Sequence, residues 1–307
     1  MKTSFTERRF TGFLLCTIIS GNIFAQTDTI PPPSKWKTKL QTGLNISEAS
    51  FTGNWKGGGV NSIAGNALLN INADYTAGKY EWTNDFETIY GNVKNGSLGW
   101  RKTADRIFFE TKLSYKLRNP WRLFASATFM SQFDAGYDFK EDISGADSIS
   151  RISGFMSPGY VTEALGFEYK PVEWFSAQFG VGALRQTFVT AQSLYDIAGK
   201  ETLYGVDRGQ VMRNQVVFQF VAEMNKEIMK NITLKVRYLG IADYQKLNGQ
   251  DFVHRLDLNI LAKVNKYINA SFGSVLLYDF DQDKDVQFSQ LINIGILYTL
   301  QNYEEKK

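Results

Sequence analysis

The chain has 307 residues, with 34 Lys and Arg against 31 Asp and Glu and a single histidine. That near balance argues against a nucleic-acid or strongly anionic partner. Only one cysteine is present, Cys16, so no disulfide framework is expected.

Lys2, Arg8 and Arg9 precede the apolar run 10–19, and Ile23, Phe24 and Ala25 put a small residue before a cut at Gln26, so residues 1–25 read as a signal peptide. An uncleaved anchor helix is the rival, disfavoured because the run is well short of the roughly 20 residues that span a bilayer. Cys16 follows Leu14 and Leu15 instead of the small residues that precede a lipid-modified cysteine. Loss of Lys2, Arg8, Arg9 and Glu7 takes the net charge from +3 to about +1. Pro31, Pro32 and Pro33 make residues 26–35 an extended periplasmic lead-in.

From Trp36 the pattern changes to alternation with period two. Thr38, Leu40, Thr42, Leu44 and Ile46 share one face, with Lys37, Lys39, Gln41, Gly43 and Asn45 on the other. The same scheme recurs over 62–76, 80–91, 106–117, 121–133, 160–170, 174–186, 211–224, 232–244, 252–264, 268–280 and 287–300. About ten such residues, tilted, cross the roughly 25 Å apolar band of an outer membrane. Twelve strands, an even number, point to an all-β fold, a transmembrane antiparallel β-barrel over residues 36–300, with a short tail at 301–307. A barrel conceals its membrane signal because every second residue faces the lumen, in keeping with the absence of any long apolar run after Ala25.

The links alternate in length. Short ones at 77–79, 118–120, 171–173, 225–231 and 265–267 mark the periplasmic end, and the remainder, 51–61, 92–105, 134–159, 187–210, 245–251 and 281–285, mark the outer end. The last strand, QFSQLINIGILYTL, resembles the closing-strand signal of bacterial outer-membrane barrels, which implies recognition by the outer-membrane insertion machinery. On the lipid parity, Trp36, Tyr75, Tyr80, Trp82, Tyr115, Trp121 and Tyr169 lie near periplasmic ends, as an interfacial girdle requires. Trp174 falls on the lumen parity. Asn84, Glu163, Asn214 and His254 are polar on the lipid parity but lie within the first five residues of their strands, at rim depth.

Three local features invite chemistry, and each has a plainer reading. His254, beside Phe252 and Leu256 on the lipid parity, reads as a rim histidine and not as a hydrolase base. Asp281, Asp283 and Asp285 have calcium-loop spacing, but Val286 replaces the glycine and Ile292 the closing glutamate, so a solvated hairpin tip is expected. The string Asn54, Trp55, Lys56, Gly57, Gly58, Gly59 would suit a ligand approach, an inward plug or a tight turn beside a bulge. No catalytic, cofactor or metal residues are assigned. The lumen parity carries Lys39, Asp85, Glu87, Glu110, Lys112, Arg213, Glu223, Lys235, Arg237, Arg255, Asp257 and Lys263, which line a narrow pore or pair up and close it.

NWKGGGVNS at 54–62 and SPGYVTEALGFEYKP at 157–171 resemble an uncharacterised family of outer-membrane barrels from Bacteroidota-type bacteria, the domain of unknown function 3078. The likeness spans nearly the whole mature chain and implies fold and outer-membrane localisation, with no enzyme residues. Residues 179–186, FGVGALRQ, depart from the more polar, proline-containing strand end expected of relatives. The expectations are a non-enzymatic barrel whose partners are the lipid bilayer and small polar solutes, acting as a narrow diffusion channel. The alternative is a closed structural or interaction module, and an outer-membrane hydrolase stands behind both.

Overall fold

The computed structural model describes residues 35–50, 61–96, 99–141, 147–265 and 267–303. The signal peptide, the proline lead-in up to Ser34, the string 54–59 and the tail from 304 lie outside these described residues.

The strands are β1 (Trp36–Ala49), β2 (Ser62–Ala77), β3 (Tyr80–Asn95), β4 (Arg101–Lys116), β5 (Trp121–Ser131), β6 (Gly136–Glu141), β7 (Asp147–Ser153), β8 (Gly159–Val172), β9 (Phe175–Phe188), β10 (Thr202–Leu203), β11 (Val206–Asp207), β12 (Met212–Met229), β13 (Ile232–Asp243), β14 (Val253–Lys263), β15 (Ile268–Asp279) and β16 (Asp283–Gln301). Twelve of them form one closed antiparallel barrel. Once the hairpins β6–β7 and β10–β11 are set aside, each neighbour in the ring is a neighbour in the chain, and β16 closes on β1.

Closure follows from the surroundings the side chains prefer. On β16, Ile292, Ile294 and Ile296 point outward and are 71%, 69% and 60% exposed, whereas Leu291, Asn293, Gly295 and Leu297 face the lumen. An oily exterior of this kind belongs in hydrocarbon, where only a sheet without edges satisfies its backbone. The aromatic girdle forms as ring pairs at the short-turn end: Trp36 with Tyr75 at 5.1 Å, Trp36 with Trp82 at 5.6 Å, Tyr80 with Tyr115 at 5.2 Å and Trp121 with Tyr169 at 5.1 Å. Trp174 lies in the turn before β9, under the Lys226 ammonium at 4.4 Å, at the mouth of the lumen.

Several links are shorter than the sequence suggests. Residues 225–231 are not a loop: β12 runs on to Met229, pairing Asn225 with Lys235 and Glu227 with Thr233, and Lys230–Asn231 makes the turn with Asn231 at φ 66°. Five of the seven residues, all but Ile228 and Met229, are polar, as suits a hairpin that projects beyond the apolar band. β3, β4 and β16 likewise extend into the links read at 92–105 and 281–285. The two long outer links carry structure of their own, the β6–β7 hairpin in one, and helix α1 (Ser193–Ala198) with β10–β11 in the other.

The segment 179–186 contains a β-bulge. Gln219 pairs with Gly180 but Val217 pairs with Ala183, and on the other side Gly166 pairs with Gly180 while Leu165 pairs with Gly182. The extra residue shifts the alternation, so that Ala183, Arg185 and Thr187 turn inward and are buried. On unbroken alternation from Ser176, Arg185 would face lipid.

Candidate functional site: the barrel lumen

The lumen is filled on one side. Inward-facing Phe124, Ala164, Ala183, Val217, Ile241 and Val253 pack together, with Leu239 and Leu277 against them. Toward the outer end, Arg185 donates to Asp279 at 3.1 Å and its guanidinium lies 4.8 Å from the Tyr160 ring centre. Arg213 meets Asp281 at 2.7 Å, Asp243 at 3.8 Å and the Gly205 carbonyl at 3.4 Å, which draws the β10–β11 turn over this side of the mouth. Tyr204 ties that turn to the other long outer link by donating to the Ile152 carbonyl at 2.9 Å. Burial raises the pKa of Tyr204 and of Tyr195, which donates to the Val206 carbonyl from the small core of the same link.

Below this packing lies a layer of ion pairs. Arg237 on β13 donates to Glu110 on β4 and to Glu223 on β12, each at 2.8 Å. β13 and β4 stand five places apart in a ring of twelve, so the first bond crosses the lumen. Arg106 lies 3.7 Å from Glu87 and 3.9 Å from Asp257, which Arg255 grips with two bonds of 2.7 and 2.8 Å. Phe108 lies between, 4.9 Å from Arg106 and 5.3 Å from Arg237. Toward the periplasmic end, Lys112 bonds Glu168 at 2.7 Å, and Glu81 takes Arg122 and, at 3.2 Å, Lys170.

The rest of the lumen is hollow. A vestibule of about 650 Å³ opens among the periplasmic strand ends and is bordered by Asp74, Asp85, Lys112, Glu223, Lys235 and Lys263. A second cavity of about 250 Å³ continues along β1–β3 and β14–β16, and both are lined by Gln41, Lys235 and Leu261. Its wall is rich in carboxamides. Asn45 donates to Asn66 at 2.6 Å, Asn66 to Asn293 at 2.8 Å, and Asn293 reaches Ser271 at 3.5 Å.

Most lumen charges read from the sequence therefore meet in this layer, but their closest partners include Arg106, Arg122, Glu168 and Lys170, which alternation alone did not single out, and Glu81, which alternation places on the polar face of its strand. Asp85 accepts from Asn72, while Lys235 and Lys263 line the vestibule. His254 is exposed on the lipid side, its Nδ1 2.7 Å from the Tyr238 hydroxyl and its ring 6.5 Å from that of Tyr278. Its neighbours are thus the aromatic side chains of Tyr238, Phe252 and Tyr278. Asp281 is held by Arg213, and Asp283 and Asp285 are exposed at the outer end of β16. Among the described residues no group of His, Cys, Asp and Glu has metal-binding geometry.

Residues 46–137 match the family model described as a protein of unknown function, DUF3078. The match includes the string at 54–62 but stops short of the one at 157–171, so it covers less than the whole-chain likeness read from the sequence. No curated protein matches the chain. Among solved structures, the NanC porin aligns at 10% identity over 84% of this chain and 98% of its own, with a TM-score of 0.41. An outer-membrane channel from Pseudomonas putida F1 aligns at 9% identity over 90% and 100%, TM-score 0.40. The translocator domain of the autotransporter NalP from Neisseria meningitidis aligns at 12% identity over 86% of each chain, TM-score 0.36. The closed twelve-stranded sheet, its oily exterior and its aromatic girdle make the protein an outer-membrane barrel.

Proposed function

We propose that this barrel is a narrow, eccentric diffusion channel for small polar solutes. The observation that carries the reading is the polar vestibule ringed by the periplasmic strand ends, together with the adjoining cavity that rises from it along β1–β3 and β14–β16 beside the packed part of the lumen. The ion-pair layer supports it as the fixed wall of the passage: charges that would be costly to bury singly are held in pairs, leaving the uncharged carboxamides to face water. Residues 1–25 act as the export signal and the closing strand β16 as the mark read by the insertion machinery. Lipid-facing His254 supports a non-enzymatic role.

One observation favours a second reading, that of a closed interaction module. Arg237 reaches Glu110 across the lumen, and Phe108 lies at the same level. Conductance of purified protein in planar bilayers separates the two. The channel predicts discrete openings that enlarge in Arg237→Glu, because Glu110 and Glu223 would then repel a third carboxylate and the layer would part. A silent bilayer containing folded protein would favour the closed module.

A further inference from the structure

We propose that the cavity along β1–β3 and β14–β16 is a binding site for a small neutral polyhydroxylated solute of monosaccharide size. This deepens the channel reading, on which it rests for the route of entry, by naming a solute class. The space of about 250 Å³ equals roughly eight water molecules at about 30 Å³ each, enough for one sugar ring. On its wall Gly273 leaves room for the Asn259 carboxamide, whose oxygen would lie 3.1 Å from a Cβ at that position.

The polar groups of the wall differ in what they have left to offer. Asn45, Asn66 and Asn293 bond one another, whereas the side chains of Asn70 and Asn259 make no hydrogen bond with any described residue. Each of these two free carboxamides presents two donors and one acceptor. Of the charged groups on this wall, Glu87 and Arg106 offset one another, and the buried Arg106 Nε, which has no hydrogen-bond partner among the described residues, adds one donor. Lys235 stands at the floor shared with the vestibule. A hydroxylated neutral solute exchanges hydrogen bonds with water for bonds with carboxamides nearly one for one, whereas an ion would surrender its hydration to a wall on which Lys235 alone carries a charge without an ion-pair partner among the described residues. Leu68, Leu261, Leu291 and Leu297 supply aliphatic surface for the C–H faces of such a solute.

The test is saturation-transfer NMR on the folded protein in detergent, with glucose, gluconate and glucosamine as probes, alongside bilayer conductance in potassium chloride. Transfer to glucose is expected to exceed transfer to either charged analogue, and to fall about tenfold in the double variant Asn70→Leu/Asn259→Leu, the fold-change for losing two hydrogen bonds. If that variant does not fold, as judged by gel mobility before and after boiling, Asn259→Ala carries the comparison. No transfer to glucose, equal transfer to the charged analogues, or an unchanged signal in the folded variant would overturn the site. Transfer to glucose without any conductance would overturn the channel reading and leave the site standing.

Discussion

The carbonyl of Phe179 on β9 occupies the space that a side chain on Gly166 of β8 would need. That contact lets the bulge form, and the bulge turns Arg185 away from lipid and into the lumen. Gly166→Val is expected to destabilise the barrel by about 1–3 kcal/mol, the usual range for forcing bulk into a packed site. Gly182→Val, at a position with open space around its Cβ, is the matched control and is expected to be tolerated. The temperature at which the compact gel band converts to the unfolded one reads both. Equal behaviour of the two variants would remove Gly166 from the account of the bulge.

Once Arg185 is inside, its partner matters. The pair with Asp279 is almost wholly buried, with 8% and 3% of the two side chains exposed. Removing one member strands the other charge, and such losses run to about 3–5 kcal/mol, whereas replacing both with apolar residues is often neutral. Asp279→Leu alone is therefore expected to lower the urea midpoint sharply. Arg185→Met with Asp279→Leu should recover most of the loss. A double variant no better than the single would show that Tyr160 and the outer turn, not the ion pair, hold this region.

The parts of this fold that were legible in the sequence are those in which lipid and water impose different demands on alternate residues. β16 reads plainly because Ile292, Ile294 and Ile296 have nowhere to go but hydrocarbon. The bulge was hidden because counting by twos assumes an unbroken strand, yet a signal was present: the cation Arg185 falls on the lipid parity, and Gly180 and Gly182 bracket the residue that absorbs the shift. The lumen charges were visible as a set, but not their pairing, since Arg237 and Glu110 are 127 residues apart. The packed half of the lumen was legible in principle from Val217, Leu239, Ile241 and Leu277, apolar residues on the inward parity. Their weight was lost beside the more conspicuous charges.

The seam between the first and last strands is the place where closure is thinnest. β1 and β16 share seven registered pairs, from Lys39 with Gln301 to Asn45 with Gly295, while β1 and β2 share fourteen. At the last of the seven, side chains take over from backbone. Asn66 on β2 reaches past β1 to donate to Asn293 on β16 at 2.8 Å, and Asn45 fills the room that Gly295 leaves beside it. Two lumen-facing asparagines on β2 thus make a controlled comparison. Asn66→Val breaks the stitch and leaves the Asn45 and Asn293 carboxamides short of a partner, a loss of about 1–3 kcal/mol. Asn70→Val, on the same face of the same strand, removes no bond to a described residue and is expected to leave stability close to wild type. Thermal conversion of the compact gel band should separate the variants by several degrees, and hydrogen exchange should place the extra opening of Asn66→Val at the backbone amides of β1 and β16. If the two variants melt together, or if exchange rises evenly around the barrel, the amide chain is a lining of the cavity and not a fastening of the seam.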